Sequence, residues 1–148
     1  MKNTSIIALN LLFFASCNQE KKQESTKTEV KTTQTETCYQ HTKDSSTIKL
    51  NIIVKDNIAS GNLIYDYYQK DKSQGTIKGE IKSDTLFAEY TFMSEGIESI
   101  REVVFLKTVN GWVEGYGEID DKDGKVTFKN RNKITFDNNA LLKQTDCQ

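Results

Sequence analysis

The chain has 148 residues, with 20 Lys and Arg against 21 Asp and Glu, one histidine, three cysteines and no proline. That length leaves room for one domain once any leader and linker are set aside. The near-neutral balance argues against the concentrated basic face that nucleic acid requires, and so few His and Cys argue against zinc.

Lys2 precedes a short apolar run, Ile6 to Phe14, which closes on Ala15-Ser16-Cys17. The run is about ten residues, well short of the roughly 20 that span a bilayer. A positive start, a short apolar segment and small residues before a cut are the marks of a secretory signal. The sequence Phe14-Ala15-Ser16-Cys17 resembles the lipobox of bacterial lipoproteins, with Phe14 where Leu is preferred. The whole layout is similar to that of small Gram-negative envelope lipoproteins. This resemblance implies that residues 1–16 are removed and that Cys17 carries the lipid, so that the first partner is a membrane reached through that anchor. Asn18 stands where inner-membrane lipoproteins commonly carry aspartate, which implies the outer membrane, on its periplasmic or cell-surface face.

Residues 17–37 read as a linker. From Asn18 to Thr37 only Val30 is a sizeable apolar side chain, and Lys21, Lys22, Lys27 and Lys31 balance Glu20, Glu24, Glu29 and Glu36. Such a segment cannot offset its ordering entropy by burial and is expected to be a disordered tether. By square-root scaling it reaches about 25 Å.

The domain expected over 38–148 is all-β. Cys38 and Cys147 fall at its two ends and, with Cys17 assigned to lipid, form an even pair that reads as a disulfide in an oxidising compartment. Closing about 110 residues contributes roughly 5 kcal/mol in the chain-entropy model. Alternation with period two then marks successive strands. Ile48, Leu50, Ile52 and Val54 come first, ending at Asp56-Asn57; Gly61, Leu63, Tyr65 and Tyr67 return from it. Ile77, Gly79 and Ile81 pair through Ser83-Asp84 with Leu86, Ala88, Tyr90 and Phe92. Ile100 to Val109 is densely apolar with no clean face. Asn110-Gly111 predicts a type I′ turn into Trp112 to Glu118. Val126 with Phe128 and Ile134 with Phe136 complete about eight strands. Asp120 to Gly124 predicts a hairpin turn rather than a calcium loop, because Ile119 and Asn130 would occupy the two anchoring ligand positions.

Eight strands joined mainly by tight turns predict an antiparallel meander, closed into a small calycin- or lipocalin-like barrel, with a β-sandwich as the alternative. Gly61, Gly79, Gly115 and Gly117 inside strand patterns mark bends and favour the barrel.

No catalytic constellation emerges. His41 is the only histidine, too little for a nucleophile-and-base pair, and acidic residues are scattered over polar faces. Neither an enzyme, a metal site nor a cofactor is expected. The run Ser94, Glu95, Glu98, Ser99, Arg101 and Glu102 is the densest in hydrogen-bonding side chains and predicts a recognition rim, with Arg101 clamping a carboxylate or pairing with Glu98 or Glu102. Tyr65, Tyr67, Tyr90, Trp112 and Tyr116 lie on neighbouring strands and either fill the core or line a small apolar pocket.

The run Ala59-Ser60-Gly61-Asn62-Leu63-Ile64-Tyr65 is similar to the Ser-Gly strand of the membrane-bound C-type lysozyme inhibitors. That likeness implies an inhibitor of an envelope-targeting enzyme. The residues of the domain imply a non-enzymatic binding module for a small apolar ligand or a protein, which the lipobox resemblance would anchor through lipid, with a structural envelope component as the alternative.

Overall fold

The computed structural model describes residues 34–94 and 96–147, except the side chain of Ser94. The expected leader, Cys17, the tether as far as residue 33, and Glu95 lie outside the described residues.

The expected all-β barrel is what forms. Its strands are β1 (Thr37–Lys43), β2 (Ser46–Lys55), β3 (Ile58–Asp66), β4 (Ser73–Lys82), β5 (Thr85–Ser94), β6 (Ile97–Thr108), β7 (Gly111–Tyr116), β8 (Ile119–Lys122), β9 (Lys125–Phe128) and β10 (Thr135–Thr145), with a 3₁₀ turn at Arg131–Lys133. The pairing runs β5-β4-β3-β2-β1-β10-β7-β6, and β5 also pairs with β6, so eight strands close on themselves, all antiparallel. Closure leaves those strands without a long free edge.

The path departs from a plain meander in two places. Thr37–Lys43 is a barrel strand although it is mostly polar, because β2 and β10 flank it with backbone partners on both sides. The hairpin β8–β9 is not part of the wall. It packs outside, with β9 running parallel to β6 at Ile100 and Arg101.

Period-two patterning fills the interior. Ile48, Leu50, Ile52, Leu63, Ile77, Leu86, Val103, Phe105, Trp112 and Leu142 form the core, and Trp112 lies edge-on to Tyr39. On β6, Val103, Val104 and Phe105 are all buried. Val103 and Phe105 join the inner core, while Val104 meets Ile134 and Phe136 on the outer side, over Gly115. Two cores, one on each face, explain why this strand shows no clean alternation.

The turns Asp44-Ser45, Asp56-Asn57 and Asp123-Gly124 have two consecutive positive φ angles, as type I′ hairpins need. The type I′ turn expected at Asn110-Gly111 is not formed. Gly111 is already the first residue of β7, with φ +143°, and Asn110 is not left-handed. At Gly61 an added Cβ would come within 1.9 Å of the Asn51 carbonyl oxygen, a close approach that only glycine permits and that lets β2 and β3 coil tightly.

Cys38 and Cys147 are bonded, with Cα atoms 5.2 Å apart. By strand direction this bond lies at the same end of the barrel as the Asp56-Asn57 and Ser83-Asp84 turns. The opposite end carries Asp44-Ser45, the 67–72 connection and the turn between β5 and β6.

Candidate functional site

The two neighbours of β6 part company partway along it. Phe105 to Thr108 pair with β7, whereas Ile100 and Arg101 pair with β9. Beyond Glu114, β7 pairs only with β10. The wall therefore splits at the end remote from the disulfide. The wedge between Arg101 and Glu114 holds a cavity of about 600 Å³, with the β8–β9 hairpin along its flank. A volume of that size is typical of small-ligand pockets.

Alternation on β6 turns Arg101 inward, in phase with Val103 and Phe105. Its guanidinium carbon lies 4.8 Å from the Tyr65 ring centre, 5.5 Å from that of Tyr90 and 5.6 Å from that of Phe92. Those rings are themselves packed: Tyr65 is stacked on Tyr67 and edge-on to Tyr90, which is stacked on Phe92. Alternation on β7 likewise brings Trp112, Glu114 and Tyr116 to one face. Glu114 is 5% exposed. It accepts from Tyr65 Oη at 2.5 Å and from Tyr116 Oη at 3.1 Å.

Burial pushes the Glu114 carboxyl above its ordinary value, opposed by the Tyr65 hydroxyl, the Arg101 charge and the Tyr116 hydroxyl. Burial also raises Tyr65 well above a free phenol, reinforced by Glu114. Tyr116 is raised by burial and then by Glu114, and Tyr67 by the same two causes. These phenols stay protonated, and Tyr65 and Tyr116 donate to Glu114.

Of the expected pocket residues, Tyr65, Tyr67 and Tyr116 line the cavity. Tyr90 and Trp112 do not; both are buried in the core beneath it, with Tyr90 Oη 2.9 Å from Ser73 Oγ. Of the expected rim, Glu98, Ser99 and Arg101 line the cavity, and Glu102 borders it from the outer side of β6. The expected pairing of Arg101 with Glu98 or Glu102 is absent among the described residues. Glu102 faces outward by alternation, accepts from the Phe128 amide at 3.0 Å and pairs with Arg131, which lies over Phe87. This anchors the hairpin flank to the wall. His41 is on β1, its Nδ1 3.2 Å from the Leu141 carbonyl oxygen; it does not line this cavity but a neighbouring hollow that Tyr67 and Tyr116 also border. The Ser60-Gly61 run lies inside β3, hydrogen-bonded between β2 and β4.

Glu114 is the residue that sequence reasoning missed. Its signal was present in phase: an acid midway between Trp112 and Tyr116 on an otherwise apolar face. Ile119, Val126 and Phe128, which add apolar lining from the hairpin, gave no such signal. Glu36, Cys38 and Cys147 bring metal-type donors together, but the two sulfurs are spent on each other. No protein-family model, curated protein or solved structure matches this chain.

Proposed function

We propose that this protein is a non-enzymatic carrier or sensor that takes a small amphipathic molecule into the split end of its barrel. The observation that carries the reading is the cavity of about 600 Å³, walled by Tyr65, Tyr67, Phe92 and Tyr116 with Arg101 and Glu114 at its inner end. Apolar walls with a few convergent polar groups are the usual makeup of a small-molecule site. Ile97 and Ile119 extend its apolar lining onto the surface, at 69% and 57% exposure.

The lipobox resemblance adds the setting: lipid on Cys17 would hold the protein to the outer membrane. Since β1 starts at the disulfide end, the cavity would then open at the end away from the tether's attachment.

N-phenyl-1-naphthylamine, an uncharged dye that brightens in apolar sites, tests the cavity. The native protein is expected to bind it saturably, and Ser99→Trp, which fills the cavity from β6, to abolish binding while thermal unfolding stays cooperative. Equal binding by both proteins would refute the reading. For the anchor, Cys17→Ser is expected to release the protein from the membrane fraction; a variant still lipidated and membrane-bound would overturn that assignment.

A further inference from the structure

The inner end of the cavity holds a cation whose charge is felt by Glu114 but which no described acid contacts. Arg101 Nε is buried and has no hydrogen-bond partner among the described residues. No described carboxylate is in ion-pair contact with this guanidinium. Glu114 shares the wall, but its two oxygens are each taken by a tyrosine hydroxyl. Glu102 is committed to Arg131 and the Phe128 amide on the outer face. A buried donor left without an acceptor is costly, and native structures supply one.

Resting on the reading of the cavity as a ligand site, we infer that the ligand is an organic monoanion, a carboxylate or sulfonate on a flat apolar body, whose acid group is received by Arg101. The guanidinium fork matches the two oxygens of such an acid. Packing over Tyr65, Tyr90 and Phe92 holds the fork in place before the ligand arrives, so little order is lost on binding. The body of the ligand lies against Tyr67, Tyr116 and Ile119. A cationic ligand is disfavoured, because the guanidinium already occupies the ring faces that would receive it. Glu98 and Asp121 also line the cavity, but they are exposed at its rim. Salt screens such charges over about 8 Å.

The test uses two dyes that share one body: 1-anilinonaphthalene-8-sulfonate and N-phenyl-1-naphthylamine, which lacks only the sulfonate. Fluorescence titration of the native protein is expected to show the sulfonate binding about tenfold tighter, the return of roughly one charge-assisted hydrogen bond. Arg101→Gln is expected to erase that preference, and Arg101→Lys, which keeps the charge without the fork, to retain part of it. Cooperative thermal unfolding of all three proteins establishes that the variants fold, and the ratio of the two dye affinities within each protein carries the comparison. Equal affinity of the native protein for both dyes, or a preference that survives Arg101→Gln, would overturn the inference while leaving the cavity reading intact. Failure to bind either dye would overturn both.

Discussion

Replacing Tyr65 with phenylalanine deletes one hydroxyl and keeps a ring that can stack on Tyr67 and meet Tyr90 edge-on. No cavity term enters. What is lost is the donor 2.5 Å from Glu114 Oε1, a carboxyl that is itself only 5% exposed. A hydrogen bond to a charged group contributes about 1.5–3 kcal/mol and a neutral one about 1. Tyr65→Phe is therefore expected to cost about 1 kcal/mol at pH 4, below the carboxyl's raised value, and about 2 kcal/mol at pH 9 once the carboxyl has ionised. The sign follows from linkage. Burial raises Glu114 in the native state, so that state holds its proton more tightly than the unfolded chain. Stability then falls as pH rises from the ordinary carboxylate range through the raised value, and levels off above it. Removing the Tyr65 hydroxyl raises Glu114 further and steepens the fall; Glu114→Gln removes this slope. Urea unfolding at both pH values, followed by the fluorescence of the single tryptophan, Trp112, measures each cost. An equal cost of Tyr65→Phe at pH 4 and pH 9, or an undiminished one in the Glu114→Gln background, would show that the hydroxyl does not support the carboxylate.

Reducing the Cys38–Cys147 bond, which spans 109 residues of sequence, is expected to cost about 5 kcal/mol. Guanidinium unfolding with and without a phosphine reductant reads this directly, and a loss below about 1 kcal/mol would contradict the loop-closure account. Gly61→Ala forces a methyl against the Asn51 carbonyl and is expected to destabilise by about 3 kcal/mol; a melting temperature within 2 °C of native, roughly 0.5 kcal/mol, would mean that β2 and β3 yield without penalty. Glu102→Ala removes the acceptor of the Phe128 amide and the partner of Arg131. Exchange of that amide with deuterium is expected to quicken about tenfold while the Leu50 amide is unchanged. Unchanged exchange at Phe128 would separate the hairpin's anchorage from Glu102.

Strand positions were legible wherever one face is buried and the other wet, as in Ile48-Leu50-Ile52, because that contrast writes itself into the sequence with period two. It fails for β6, where Val103, Val104 and Phe105 are buried between two cores. It fails again for β1, whose pairing depends on backbone edges supplied by β2 and by β10 about a hundred residues away. The disulfide was legible from cysteine arithmetic once Cys17 was set aside for lipid. The site was half legible. Tyrosines and an arginine could be named, but not that alternation would place Arg101 inside and Glu102 outside, since the phase of β6 is hidden by its double burial. Tyr90 and Trp112 could not be told from Tyr65 and Tyr116, because depth along the barrel axis is set by strand stagger rather than by spacing.

The bond between Cys38 and Cys147 also decides how the domain bears load. Any pull from the segment ahead of Thr37 enters the barrel at Cys38, the second residue of β1. Without the crosslink, that force would unzip β1 from its flanking strands one hydrogen bond at a time. With it, tension is shared at once with β10, and the two paired strands must leave together. The split end, where Arg101 and Glu114 face the cavity, lies at the other pole of the barrel and is spared the strain. Tension entering at β1 is thereby kept from becoming a distortion of the pocket.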